Sequence, residues 1–355
     1  MNNIVVPHSR TNITEDDIQA VADQLRSHIV SYEEKSHEFE RKLAHYIGVN
    51  YAYATSSGTL AVYLSLMSLG IKPDDDIIIP SYVCTDVLSA VWQIGANPIL
   101  VDIDDNFNIN YESVEERITQ DTRAIICPHM FGLPANIKPL LKLDIPIIVD
   151  CAHSIGAEID GQRVGSFGNL STFSFAGIKM LTTGEGGMVL SNEAEIGQQF
   201  KRFLNPDYEL GQFKLKFPLS SIQAAIGLSQ FARLDKMITR RREIARHYNE
   251  ELSKFGNVRL PVTEIDGRCS VFYRYCIRLN DTDINAIIGN FYDNDIIVRH
   301  PIVKLLHSIK WVNGKECPNS DSAYRETISL PLYPDLTEEE EEKVINVAQN
   351  IFSKF

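Results

Sequence analysis

The strongest constraint on this chain lies between residues 60 and 191. Short apolar runs, each closed by turn residues, alternate there with stretches of helical period. Asp76–Pro80, Pro98–Asp102, Ala124–Pro128, Ile145–Asp150, Ser171–Phe175 and Gly187–Ser191 predict strands. Leu60–Leu69 and Thr85–Ile94 predict helices. Strands separated by helical crossovers make a mostly parallel sheet with helices on both faces. Ligands of such sheets collect at the carboxyl ends of the strands, so residues at those ends are the first candidates for a site.

Composition removes several function classes. With 34 Lys+Arg against 47 Asp+Glu the net charge is −13, which argues against nucleic acid or an anionic membrane as main partner. An anionic ligand would need local positive potential. The six cysteines show no CxxC pair and no nearby histidine cluster, so no zinc site is expected. The longest uncharged stretches, 87–101 and 164–178, fall short of the about 20 residues of a spanning helix. The first residues carry no signal-peptide core. A soluble protein of the reducing cytoplasm is the expectation.

Beyond residue 200, one long amphipathic helix is expected from Ser220 to about Phe255. It carries Arg240-Arg241-Arg242, which cannot share one face and reads as a solvated surface, with a phosphate contact as the alternative. Arg268–Leu279 reads as a strand, Asp283–Asp293 as a helix and Asp295–Val298 as a further strand. Thr337 can cap a final helix with Glu340 completing the box, so the glutamate run is structural and not a metal site. The expected division is a large domain over 1–255 and a small α+β domain over 256–355.

Three local features carry chemistry. Ala54-Thr-Ser-Ser-Gly-Thr59 opens a helix with small residues, leaving free amides and a positive dipole end suited to phosphate. Ile145–Asp150 ends a buried strand in a carboxylate, and His153 follows three residues later. Lys179 lies between the apolar run Ser171–Phe175 and the glycine-rich turn Gly184-Glu-Gly-Gly187, where a partly desolvated amine can attack an aldehyde. An anion-binding helix start, an aspartate 29 residues before a lysine, and Ser174 together suggest pyridoxal phosphate. The lysine would join its aldehyde carbon, the aspartate would keep its ring nitrogen protonated, and the amides would hold its phosphate.

At these residues the chain resembles the DegT/DnrJ/EryC1/StrS family of pyridoxal-phosphate sugar aminotransferases. The match includes Ser57-Gly-Thr-Leu-Ala61, Gly70-Ile-Lys-Pro-Asp74, Val101-Asp-Ile-Asp104, Val164-Gly-Ser-Phe-Gly168, Gly184-Glu-Gly-Gly187, Gln223–Leu228 and Ser329–Pro334. The resemblance implies a fold-type I α/β architecture: a mostly parallel central sheet flanked by helices, plus the smaller C-terminal α+β domain. It makes Lys179 the Schiff-base lysine and Asp150 the partner of the ring nitrogen. Gly58, Thr59 and Ser174 would hold the phosphate, and His153, at a position commonly Gln, would lie against the ring near its 3-oxygen. The aromatic that usually stacks on the ring falls at Cys84, so either Tyr82 moves in or fewer contacts hold the ring. The Asn that usually reaches the neighbouring subunit's phosphate becomes Lys216, and the Arg two residues on becomes Pro218. The loop Leu204–Phe217 is short for the family and would alter the substrate pocket.

The resemblance implies a cytoplasmic homodimer that moves an amino group from L-glutamate onto a keto-sugar, nucleotide-linked or a Kdo-type acid sugar. Its product would be an amino sugar for a surface polysaccharide or related glycoconjugate. Pyridoxamine phosphate would form midway. His300, Arg299 and Lys304 are further candidates for the sugar pocket. The alternatives are a dehydratase on the same scaffold, whose relative carries His in place of the lysine, and a non-catalytic regulatory relative free to lose Lys179 or Asp150.

Overall fold

The structure, a computed structural model, describes residues 5–204, 214–280, 282–312 and 316–354. The loop expected to alter the substrate pocket lies largely outside them. The first nine strands are β1 (Tyr51–Thr55), β2 (Asp76–Pro80), β3 (Asn97–Val101), β4 (Thr122–Pro128), β5 (Ile147–Asp150), the short β6 (Glu158–Ile159) and β7 (Gln162–Arg163), β8 (Leu170–Ser174) and β9 (Gly187–Ser191). Seven of them form one sheet in the order β1-β9-β8-β5-β4-β2-β3. Only β9 opposes its neighbours; the remaining pairings are parallel. Ile77, Ile78 and Ile79 are all fully buried, as expected where helices cover both faces. The helices Gly58–Ser68 and Thr85–Gln93 provide two of the crossovers. The fold is the expected α/β fold-type I architecture.

Parallel pairing places the carboxyl ends of β4, β5 and β8 side by side, at Pro128, Asp150 and Thr172–Ser174. A second sheet joins β10 (Val258–Arg259), β13 (Tyr275–Leu279) and β14 (Thr327–Leu330). Its apolar cluster takes in Tyr248, Phe291, Phe352 and the early residue Val6. The hairpin β11 (Glu264–Ile265) and β12 (Arg268–Cys269) pairs with β6, tying the late chain to the middle one. We propose units 1–255 and 256–355; the cluster under the second sheet also draws on Val6, Ile244, Ala245, Tyr248 and Leu252 of the first unit.

Four expectations need correction. The helix over 220–255 is two helices, Ser221–Ala232 and Leu234–Leu252, broken where Arg233 leaves helical geometry (φ −119°, ψ 12°). Its guanidinium there grips both carboxylate oxygens of Asp17 in the first helix. The strand over 268–279 is split into β12 and β13, because Phe272 turns to φ 49° between them. Asp295–Val298 forms only a bridge, Ile296 to Val6. The arginine run is neither a solvated face nor a phosphate site. Arg240 pairs with Glu341, Arg242 donates to the Ser270 carbonyl, and fully buried Arg241 donates to the carbonyls of Phe272, Tyr273 and Leu332. The expected capping box of the last helix, Glu338–Phe352, forms between Thr337 and Glu340. No cluster of potential metal ligands occurs among the described residues.

Candidate active site

One cavity opens where the strand ends meet the start of the helix Gly58–Ser68. It is lined by Gly58, Thr59, Cys84, Asp150, His153, Ser174 and Lys179, seven of the eight residues expected at the cofactor. Ser57 caps the helix, its hydroxyl accepting from the Leu60 N–H at 3.1 Å. The Gly58 and Thr59 amides, a turn too early for helical partners, have no acceptor among the described residues. Glycine is needed at 58 because a Cβ there would fall 2.7 Å from that of Ser174. This close approach brings the helix start to the end of β8.

Asp150 is buried at the tip of β5, and its Oδ1 accepts the Ala152 N–H at 2.9 Å. Burial pushes its pKa up, opposed by that N–H and by the charge of Lys179. A cationic N–H donor in the cavity would stabilise the ionised form further. Lys179 follows β8 in a loop held by Phe175 N–H to Gly186 O (2.8 Å) and Thr183 N–H to Phe175 O (2.9 Å). Its Nζ stands 5.0 Å from the Tyr273 ring centroid. His153 stacks on the same ring, with centroids 4.2 Å apart. Burial, then Lys179 and Arg274, hold its pKa well below the ordinary value, so it is neutral. In Tyr273 burial raises the phenol's pKa, but Lys179, Arg274 and Arg241 outweigh it and the net shift is downward.

Lys216 is exposed and outside the cavity of its own chain. Tyr82 does not move in: it is fully buried, stacked on Phe107 at 5.7 Å, which leaves the cavity wall to Cys84. The Cys84 thiol donates to Asp86 Oδ2 at 3.3 Å. Arg299 and Lys304 are exposed and His300 stacks on Tyr324; none of the three lines this cavity.

Two residues were missed. His129 sits directly after β4, where a polar residue at a strand tip was signal enough to mark it. Its Nδ1 accepts the Ala135 N–H at 2.9 Å, so the proton is on Nε2, which is buried without a partner. Burial, then Arg268, push its pKa down to about 3. Tyr273 had no local signal. It arrives from over a hundred residues away, pinned by Val271 N–H to Gly132 O (3.0 Å) and Arg274 N–H to Phe131 O (3.3 Å).

Open amides, a half-satisfied buried carboxylate, and the orphaned His129 Nε2 and Thr172 Oγ1 on the same wall fit a bound molecule carrying phosphate and a cationic ring nitrogen. Pyridoxal 5′-phosphate has both.

Comparison with known proteins agrees. GDP-perosamine synthase of Caulobacter vibrioides is 32% identical, over 87% of each chain. The aminotransferase TlmJ of Streptoalloteichus hindustanus superposes with a TM-score of 0.94 at 25% identity, covering 99% of this chain and 100% of that one. Spr1654 of Streptococcus pneumoniae, solved in its PLP-form, gives 0.92 at 25% identity, with 99% of each chain covered. The model of the DegT/DnrJ/EryC1/StrS aminotransferase family matches residues 11–349. The chain therefore belongs to this family of pyridoxal 5′-phosphate-dependent sugar aminotransferases.

Proposed function

We propose that this protein moves an amino group from L-glutamate onto the carbonyl carbon of a keto-sugar, working as a cytoplasmic homodimer. The observation that carries the reading is the meeting of Lys179, Asp150 and the open Gly58 and Thr59 amides in one cavity. When bound, pyridoxal 5′-phosphate supplies an aldehyde carbon that joins amines and a ring that accepts the electron pair freed at the donor's Cα. Lys179 holds the group covalently between turnovers. Once free, its Nζ would be the base that takes the donor's Cα proton and the acid that returns it. Asp150 keeps the ring nitrogen protonated, and Ser174 anchors the phosphate with the two amides. Neutral His153 would lie against the ring near its 3-oxygen, and Cys84 would border it. Lys216 reaches the neighbouring subunit's phosphate as a point charge.

The GDP-perosamine synthase relative supports a nucleotide-linked acceptor. Lys179 weighs against dehydration, and the presence of both Lys179 and Asp150 weighs against a non-catalytic regulator. No helix among the described residues is long and apolar enough to cross a membrane. An absorbance spectrum before and after L-glutamate tests the reading. A band in the near ultraviolet or visible that shifts on addition supports it. A band indifferent to glutamate removes this donor, and no band after soaking in pyridoxal phosphate overturns the reading.

A further inference from the structure

Beside Cys84 the cavity wall carries a carboxylate for which the cofactor has no use. Asp86 lies in the first turn of the helix Thr85–Gln93 and lines the cavity. Acids are common in a first turn, where they cap free amides or answer the helix dipole. Asp86 caps no amide. The N-cap position is Cys84, which makes no side-chain cap bond. Among the described residues the Asp86 carboxylate accepts one hydrogen bond, from the Cys84 thiol at 3.3 Å, and pairs with no cation.

The carboxylate shares the space of the reacting groups. It lines the same cavity as Lys179, Asp150 and Ser174. Its charge adds to the burial that pushes the pKa of Asp150 up, and Lys179 opposes the burial that raises that of the Cys84 thiol. The wall that presents it is fixed from behind. Leu306 donates its N–H to the Ser81 carbonyl at 3.0 Å, and the Ser81 hydroxyl is bonded to His307 Nδ1 at 2.6 Å. Tyr82 and Val83 are buried between that anchor and Cys84. Asp86 is therefore pre-positioned.

Charge decides what it can hold. The charged side chains that line the cavity are Asp86, Asp150, Glu185 and Lys179, three acids against one base. Pyridoxal 5′-phosphate adds its own negative phosphate, and its cationic ring nitrogen is met by Asp150. An ionised carboxylate only accepts hydrogen bonds. It repels a phosphate or a donor carboxylate placed beside it and attracts a hydroxyl, in a charge-assisted bond. We propose that Asp86 accepts a hydrogen bond from a ring hydroxyl of the acceptor sugar while the sugar's reacting carbon lies at Lys179. The inference rests on the aminotransfer reading above. It gives Asp86 a part in the sugar half of the reaction, with the Cys84 thiol steering the carboxylate, and none in binding the amino donor.

The test uses the enzyme loaded with pyridoxal 5′-phosphate and follows the cofactor's absorbance as two amines are titrated separately. One is L-glutamate. The other is GDP-4-amino-4,6-dideoxymannose, run also as its 2-deoxy and 3-deoxy analogues. Wild type, Asp86→Ala and Asp86→Asn are compared, with unfolding midpoints measured in parallel. Asp86→Ala should need about tenfold or more amino sugar for half of the spectral change, at an unchanged midpoint. Asp86→Asn should lose less, because its amide oxygen still accepts. Neither variant should need more glutamate than wild type. With the analogue that lacks the bonded hydroxyl, wild type and Asp86→Ala should coincide. An unchanged sugar response in Asp86→Ala, an equal loss for glutamate and sugar, or a loss that persists with both deoxy analogues overturns the proposal. A wild type that responds to glutamate alone also overturns it and leaves the donor half of the aminotransfer reading standing. A wild type that responds to the sugar alone removes glutamate from that reading, and Asp86 is then judged on the sugar titrations.

Discussion

Replacing Gly58 by alanine probes the closest approach in the candidate site. The new Cβ would sit 2.7 Å from Ser174 Cβ, 3.0 Å from its Oγ and 3.3 Å from its Cα. Carbon atoms pack at about 3.5–4.0 Å, so the helix start and the end of β8 must part by roughly 1 Å. Alanine gains at most about 1 kcal/mol of helix propensity, and less in the first turn. Overpacking costs about 1–3 kcal/mol, so the fold should lose about 1–2 kcal/mol. The larger effect falls on the site. Moving the Gly58 and Thr59 amides from a phosphate shared with Ser174 weakens hydrogen bonds to a charged group, each about 1.5–3 kcal/mol. Affinity for pyridoxal 5′-phosphate should fall roughly 10- to 100-fold. The assay is a spectroscopic titration of cofactor-free protein, with unfolding followed in parallel. Gly289→Ala is the control: it lies inside the helix Ile284–Tyr292 with nothing within 4 Å of its Cβ, and should stabilise by up to about 1 kcal/mol. If Gly58→Ala binds the cofactor as tightly as wild type while the control behaves as stated, the phosphate cradle has been placed wrongly.

Three further outcomes are expected. Lys179→Ala should abolish turnover and the covalent cofactor bond while leaving the unfolding midpoint near that of wild type; retained multiple turnovers contradict the assigned role. Arg241→Met leaves the buried Phe272, Tyr273 and Leu332 carbonyls without their donor, at about 1–3 kcal/mol each, so chemical unfolding should show a loss of roughly 3–5 kcal/mol; a loss below about 1 kcal/mol refutes the pinning role. Burial, then Arg274 and Arg299, lower the pKa of His8 to about 3 from 6.5. The unfolded chain therefore binds the proton first, and His8 contributes stability above pH 6.5 that is lost as pH falls towards 3. His8→Asn should flatten that acid decline in melting temperature, and parallel slopes for the two proteins would rule it out.

The legible parts of this protein were those whose signals are local. Asp150 and Ser174 end apolar strands, Gly58 and Thr59 open a helix, and Lys179 follows a strand at the edge of a glycine-rich turn. β2 and β9 match their expected limits because burial on both faces leaves uninterrupted apolar runs bounded by polar or turn residues. The failures were non-local. Arg233 breaks a well-patterned helix because Asp17, two hundred residues earlier, offers it both oxygens. Arg241 looked like part of a charged surface, yet three carbonyls from two distant segments justify burying it.

Alternating strand and helix patterns determined the α/β sheet, the strand ends where chemistry would gather, and the aspartate–lysine pair. Backbone geometry and apolar periodicity act over a few residues, so the chain carries them openly. Only the tertiary structure decided which face closes the site. The 271–274 segment docks on the turn at Phe131 and Gly132, where it sets the Tyr273 ring against His153 and 5.0 Å from Lys179 Nζ. That docking depends on hydrogen bonds and strain shared between distant segments, and no stretch of the sequence contains both halves of the contact.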